Sequence, residues 1–364
     1  MIKRRNFLPA AFLSLSLLVN ACGSGTPTTT STSPAATGTT FGASPAPSAS
    51  GVKKKVGIVL DRSENDKSFN EYSLKGAREA AKTAGLDFSY VVATSTSDFE
   101  KNIETQVNEG ASLIVTVGFL MADATATMAK KYPNVKFAIV DVAYPPEKDG
   151  SDPYAKDLKN VTSLVFAEDQ VAFLAGALAG CVSETGKIAV VAGMEIPPVQ
   201  KFVDGYASGA KFANPSVTVL KQYIPSFEDP ATGKSVGQNF ISQGADVIFG
   251  AGGSTGNGGL LAAKEANKKA IGVDVDQYLT YPEVKSALIT SAAKNMDVAV
   301  NTAVKDFAAG NLKPGIQLST LANGGLGLAP YHEWDAKIDP KCKDKVKAAE
   351  TAIKADLKVS GCTK

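Results

Sequence analysis

Four side chains suited to polar recognition fall at the ends of apolar runs. Asp61 closes the run 56–60, Asp141 closes 136–140, Asp274 closes 269–273, and Lys294 follows 287–292. Near them in the pattern stand Phe69, Asn70, Phe227 and a glycine-rich turn, 250–258, that contains Gly253. Carboxylates accept hydrogen bonds from sugar hydroxyls, and a lysine donates to ring or hydroxyl oxygens. Aromatic faces stack on a planar base. If the apolar runs are parallel strands, their carboxyl ends gather at one crevice, where open α/β sheets bind ligands. Each residue also has a plainer use: Asp61 and Ser68 could cap a helix starting near Phe69, and Phe69 could pack beneath it.

The elements that must position these groups alternate strand and helix. Runs at 56–60, 87–93, 112–117 and 136–140 read as strands, with helical spacing at 69–84, 97–109 and 122–131 between them. Residues 160–166 form a strand-like connector. A second series follows, with strands at 187–191, 218–223, 246–249, 269–273 and 287–292 and helices at 170–182, 199–212, 233–243, 258–266 and 296–308. Alternation of this kind predicts parallel sheets covered on both faces, and two such series predict two similar lobes. The chain is expected to cross between lobes near 161–165 and 291–294. That makes 54–163 plus 293–312 the first lobe and 164–292 plus 313–364 the second.

The opening 53 residues read differently. Lys3, Arg4 and Arg5 precede an apolar run, 7–19, that is too short to span a bilayer and has the form of a secretory signal. Its end, Val19-Asn20-Ala21-Cys22, resembles a bacterial lipobox, so residues 1–22 are expected to be a signal that leaves a lipidated Cys22. An ordinary signal peptide with a chance cysteine is the other reading. Residues 23–53 are almost wholly Gly, Ser, Thr, Ala and Pro and are expected to be a disordered tether. Of the remaining cysteines, Cys342 and Cys362 flank a Lys-rich helical segment and are expected to pair, with Cys181 left as a buried thiol.

Several chemistries find no support. A net charge of +2 with scattered Lys and Arg offers no basic face for nucleic acid. A single histidine, His332, and no CxxC pair leave little for a metal site, and no cofactor is expected. Gly233-Lys234-Ser235 looks like the end of a P-loop, but Glu228 stands where that loop needs glycine. The 250–258 turn does not fit the GxGxxG pattern, since its last position is Thr255. No nucleophile is evident. A carboxylate pair drawn from Asp61, Asp141 and Asp274 leaves glycoside hydrolysis open.

A family resemblance runs in order from about residue 54 to about 328. It is carried by Asp66-Lys67-Ser68-Phe69-Asn70, Gly118-Phe119-Leu120-Met121-Ala122-Asp123-Ala124, Phe137-Ala138-Ile139-Val140-Asp141 and Ser226-Phe227-Glu228-Asp229. It continues through Gly244-Ala245-Asp246-Val247-Ile248-Phe249, Thr255-Gly256-Asn257-Gly258, Gly272-Val273-Asp274-Val275-Asp276-Gln277 and Gly324-Gly325-Leu326-Gly327-Leu328. Together these resemble the basic membrane protein family, the nucleoside-binding lipoproteins of ABC importers. The resemblance implies a type I periplasmic-binding-protein fold: two Rossmann-like lobes, three hinge crossings and ligand between them. It implies that Phe69 and Phe227 sandwich a purine base. Asp61, Asn70 and Asp141 would then contact the ligand from the first lobe, and Gly253, Asp274 and Lys294 would hold the ribose. The chain departs from the family turn by inserting Ser254 after Gly253, leaving Gly252 or Gly253 as the backbone donor. The expectation is a monomeric, lipid-anchored, non-enzymatic receptor on the outer side of the cell membrane that delivers nucleosides to an ABC permease and ATPase. A sugar or other small-polar-ligand receptor, and a sensory or adhesive lipoprotein without transport, are the alternatives.

Overall fold

The computed structural model describes residues 54–145, 156–356 and 360. Cys22, the tether and Cys362 lie outside these. Twelve strands and ten α-helices occur among the described residues. The first series comprises β1 (Lys55–Asp61), α1 (Phe69–Thr83), β2 (Asp87–Ala93), α2 (Phe99–Asn108), β3 (Ala111–Val117), α3 (Ala122–Lys131), β4 (Lys136–Val140) and β5 (Val161–Phe166). The second comprises α4 (Glu168–Val182), β6 (Lys187–Ala192), α5 (Pro197–Ala213), β7 (Thr218–Tyr223), α6 (Pro230–Ser242), β8 (Val247–Ala251), α7 (Gly253–Glu265), β9 (Lys269–Asp274), α8 (Gln277–Thr280) and β10 (Leu288–Lys294). After these come α9 (Met296–Ala309), β11 (Gly315–Ser319), β12 (Leu326–Leu328) and α10 (Pro340–Ala355).

Two six-stranded sheets result, in the orders β11-β5-β4-β3-β1-β2 and β12-β10-β9-β8-β6-β7. All pairings are parallel except β10 with β12. Central strands are buried along their length: residues 56–60 of β1 and all of β8 are inaccessible. That is why they read as continuous apolar runs, as strands covered on both faces do. The outer strands β2 and β7 are half exposed and correspondingly mixed in sequence.

The chain passes between the sheets three times: from β5 through Ala167 into α4, from β10 through Asn295 into α9, and from β11 towards β12. The crossings are tied together, with Ala167 N–H donating to the Ser319 carbonyl and Asn295 N–H to that of Gly325. One part of the expected partition is corrected here. Residues 315–319 pair with β5 in the first sheet, not with the second lobe, and β5 is a full strand of the first sheet that reaches Phe166, past the expected lobe boundary at 163. The alternation Ile316-Gln317-Leu318 marks a strand but carries no information about which sheet it joins.

The cysteine pairing is also corrected. Cys181 is bonded to Cys342, with Cα atoms 5.5 Å apart across 161 residues of chain. Cys181 therefore is not a free thiol, and Cys342 is not available to Cys362. The cause is tertiary: Val346, Ala349 and Ile353 of α10 join the same buried cluster as α4, which brings the start of α10 to the end of α4. Ser360 is buried and donates to the Asp169 carboxylate near the other end of α4.

Candidate ligand-binding site

A cavity of about 100 Å³ lies between the sheets at the carboxyl ends of their strands. All eight residues singled out from the sequence line it. Asp61 and Asp141 come from the ends of β1 and β4, and Asp274 and Lys294 from the ends of β9 and β10. Phe69 and Asn70 open α1, Phe227 sits in the loop before α6, and Gly253 is the first residue of α7.

Local chemistry fixes the first-lobe corner. Asp66, not Asp61 or Ser68, caps α1: its carboxylate accepts the N–H groups of Ser68 (3.1 Å), Asn70 (2.9 Å) and Glu71 (3.2 Å). This places Phe69 and Asn70 at the cavity wall. Asn70 Nδ2 donates to the Asp61 carbonyl at 2.9 Å, which fixes the orientation of the amide and leaves Oδ1 as a buried acceptor. Asn70 Oδ1 and Asp61 Oδ1 are both buried without a hydrogen-bond partner among the described residues. Buried acceptors of that kind are costly unless something donates to them. Burial pushes the Asp61 carboxyl above its usual range, with Arg62 opposing and Glu228 adding to the shift.

The second-lobe corner depends on glycine. Gly253 has φ +55°, in the left-handed region that a side chain disfavours, and it starts α7 with its orphan N–H groups at the cleft. Thr255 N–H is already taken by the Phe227 carbonyl at 3.1 Å, which seats the aromatic residue against the turn. A Cβ on Gly193 would lie 2.5 Å from the Phe227 ring, so only glycine leaves room for the ring there.

Lys294 is the electrostatic centre. It is 2% exposed, and its Nζ meets both Asp141 oxygens at 2.8 and 2.7 Å and Glu168 Oε1 at 3.5 Å. Lys201 lies 3.4 Å from Glu168 Oε2. The rings of Phe69, Phe166 and Phe202 surround the ammonium at 5.0, 4.9 and 5.8 Å. Burial alone would lower the Lys294 pKa, but the carboxylates of Asp141, Glu168 and Asp274 outweigh it and hold the amine charged. Glu168 is itself raised by burial, against the attraction of Lys294. Asp274 has no ion-pair or hydrogen-bond partner among the described residues, and burial, opposed by Lys294, pushes it up to about 7.

Sequence reasoning missed Glu168 and the rings of Phe166 and Phe202. A signal for Glu168 existed. The run 171–180 is apolar all round, as in a fully buried helix, so an acid one turn ahead of it must also be buried and need a cation. The two rings carry no such mark, since their contact with Lys294 arises only when β5, α5 and β10 come together.

This arrangement can hold a small polar molecule with a flat face and several donors. No group of three or more metal-ligating side chains is assembled among the described residues. The profile of the family described as "ABC transporter substrate-binding protein PnrA-like" matches residues 53–360. The ABC transporter nucleoside-binding protein BmpA of Lactococcus lactis subsp. cremoris is 33% identical over 323 residues, covering 82% of this chain and 86% of that protein. Basic membrane protein A1 of Borrelia garinii subsp. bavariensis is 32% identical over 274 residues, covering 75% and 77%. A solved ABC transporter solute-binding protein from Aeropyrum pernix K1 superposes with a TM-score of 0.69 at 30% identity, covering 84% of this chain and 86% of its own. The two-lobe architecture, the cleft at the strand ends and these likenesses agree: the chain belongs to the PnrA-like Bmp family and is the substrate-binding protein of an ABC transporter, not an enzyme.

Proposed function

We propose that this protein captures a purine nucleoside between its lobes and delivers it to the permease and ATPase of an ABC importer. The observation that carries the reading is the pairing of Phe69 and Phe227, one from each lobe, on a cavity whose polar wall sets Asp61, Asp141, Glu228 and Asp274 beside Arg62 and Lys294. A base enters between the rings, where stacking is worth about 1–3 kcal/mol per base. Asp61 and Asn70 present acceptors that lack hydrogen-bond partners among the described residues to donors on the base. Asp274 accepts from ribose hydroxyls, Lys294 donates to ribose oxygens while Asp141 holds it in place, and the first turn of α7 at Gly253 supplies backbone donors. The printed name of the Lactococcus relative, a nucleoside-binding protein, supports the same ligand class. Cys22 carries the lipid that keeps the monomeric receptor at the outer face of the membrane, with residues 23–53 as its tether. Among the described residues no helix is long and apolar enough to cross a membrane.

Denaturing the purified protein and taking mass spectra of what it releases tests the ligand. Calorimetric titration with adenosine, guanosine, 2′-deoxyadenosine and ribose tests the contacts. If ribose binds as tightly as adenosine and Phe69→Ala leaves that affinity unchanged, the protein is a sugar receptor. Palmitate labelling of wild type and Cys22→Ser tests the anchor, and equal labelling of the two overturns it.

A further inference from the structure

Asn257 belongs to the Thr255-Gly256-Asn257-Gly258 run of the family resemblance, yet it does not line the cavity. It lies in the second turn of α7 and is 7% exposed. Asparagine is a poor choice for a buried helix interior unless its amide is used. Here both ends are. Gln277 Oε1 accepts from the Val273 N–H at 2.9 Å, which turns Gln277 Nε2 towards Asn257 Oδ1 at 2.8 Å. Asn257 Nδ2 is thereby left to donate across the cleft, to the Asp66 carbonyl of the first lobe at 3.1 Å. A second bond runs beside it, from Thr280 Oγ1 at the end of α8 to the Lys67 carbonyl at 2.7 Å.

The receiving segment matters. Asp66 caps α1 and so sets the position of Phe69 and Asn70. Lys67 sits at φ +64°, a conformation rare for a residue with a side chain, and its carbonyl is engaged by the other lobe. At the far end of the chain of bonds, Val273 directly precedes Asp274. A hydrogen-bonded path therefore joins the strand end that presents Asp274 to the helix start that presents Asn70.

We propose that Asn257, aimed by Gln277, is a positioning residue for closure. It docks the 66–70 loop onto the second lobe, bringing Phe69 and Asn70 into register with Asp274 and Gly253, with Thr280 as the second contact. Both acceptors are backbone carbonyls, so the contact depends on the path of the loop and not on its side chains. It forms only with the lobes together, which stabilises the closed form and slows ligand escape. The inference does not depend on the ligand being a nucleoside.

The test places thiols at the mouth of the cleft with the pair Lys67→Cys and Thr280→Cys, and follows the rate at which a short bis-maleimide joins them, read by peptide mapping. In this background the Thr280 contact is gone and only Asn257 remains. Adding Asn257→Ala is expected to slow the linkage roughly three- to tenfold, the range one net hydrogen bond produces. Asn257→Asp keeps the shape and the bond from Gln277 but turns an oxygen towards the Asp66 carbonyl, and is expected to slow it at least as much. Should Asn257→Ala lower the melting temperature, the isosteric Asp variant decides. Unchanged linkage rates in that variant overturn the proposal. Adenosine is added in a separate arm. If it fails to speed the linkage while the dependence on Asn257 persists, the nucleoside reading fails and the closure contact stands.

Discussion

The two lobes place a carboxylate at the same point and use it differently. β4 and β9 occupy equivalent places in their sheets, and Asp141 and Asp274 at their ends both take left-handed backbone angles, φ +69° and +68°. Asp141 is neutralised by Lys294 through both oxygens. Asp274, more deeply buried than the half-buried Asp141, has no such partner among the described residues and is pushed up to about 7. Repeating a fold repeats the backbone position of a side chain, but its charge state is set by what the opposite lobe brings. The first-lobe acid holds a cation in place, and the second-lobe acid is left to receive a donor from the ligand.

The largest way to break that contrast is to remove the cation. Lys294→Met keeps the bulk but leaves Asp141 and Glu168 buried without their counter-charge, and breaking a buried pair from one side typically costs about 3–5 kcal/mol. Chemical denaturation is expected to show a loss of that order, together with loss of ligand binding. The loss should shrink at acid pH, where Glu168, raised by burial, takes up a proton. A loss under 1 kcal/mol at neutral pH would mean that the network contributes little.

Next in size is the Cys181–Cys342 bond, which ties α4 to α10 in the second lobe. Cys342→Ala is expected to lower stability by about 2–4 kcal/mol, measured in urea, while leaving affinity unchanged. A change in affinity instead would show that the far end of α4 reports to Glu168 at its start.

The two aromatic walls differ between the lobes as well. Phe69→Ala and Phe227→Ala should each cost about 1–3 kcal/mol of affinity for every nucleoside alike, by titration calorimetry. Phe69 also lies 5.0 Å from the Lys294 ammonium, whereas the Phe227 ring rests on Gly193. Phe69→Ala is therefore expected to be the worse of the pair, and the reverse order would remove the cation–π contact from the account.

The finest test is pH. An acid whose folded pKa lies near 7, above its unfolded value of about 3.9, holds a proton in the folded protein that the unfolded chain has released. Its contribution to stability is present at low pH and is lost as pH rises from about 4 to about 7, with a slope of at most about 1.4 kcal/mol per pH unit. Ligand donors favour the ionised form, so affinity should rise between pH 6 and 8. Asp274→Asn should abolish the affinity trend and weaken the stability trend, to which Asp61 and Glu168, also raised by burial, contribute, while Asp141→Asn should leave the affinity trend in place. Titrations at three pH values check this, and a flat wild-type profile overturns it.

Much of this site was legible in the chain because strand chemistry is local. A buried parallel strand must be apolar along its length, so its end is marked by the first polar residue, and parallel strands end on one side. Asp61, Asp141 and Asp274 follow from that alone, whereas Lys294 does not, because Thr290 and Ser291 interrupt its run. The glycine turn and Phe227 carry the family resemblance as a set, yet nothing in the chain marks Gly193 behind the ring, because contact between two loops leaves no trace in spacing. The pairings between distant segments arise only from packing in three dimensions. Cys181 met Cys342 because an amphipathic α10 had to bury one face and α4 was the apolar surface at hand. Residues 315–319 joined the first sheet because the β5 edge was open to them. Asn257 reached Asp66 only once two lobes faced each other. Periodicity reports which face of an element is buried, and it is silent on what buries it.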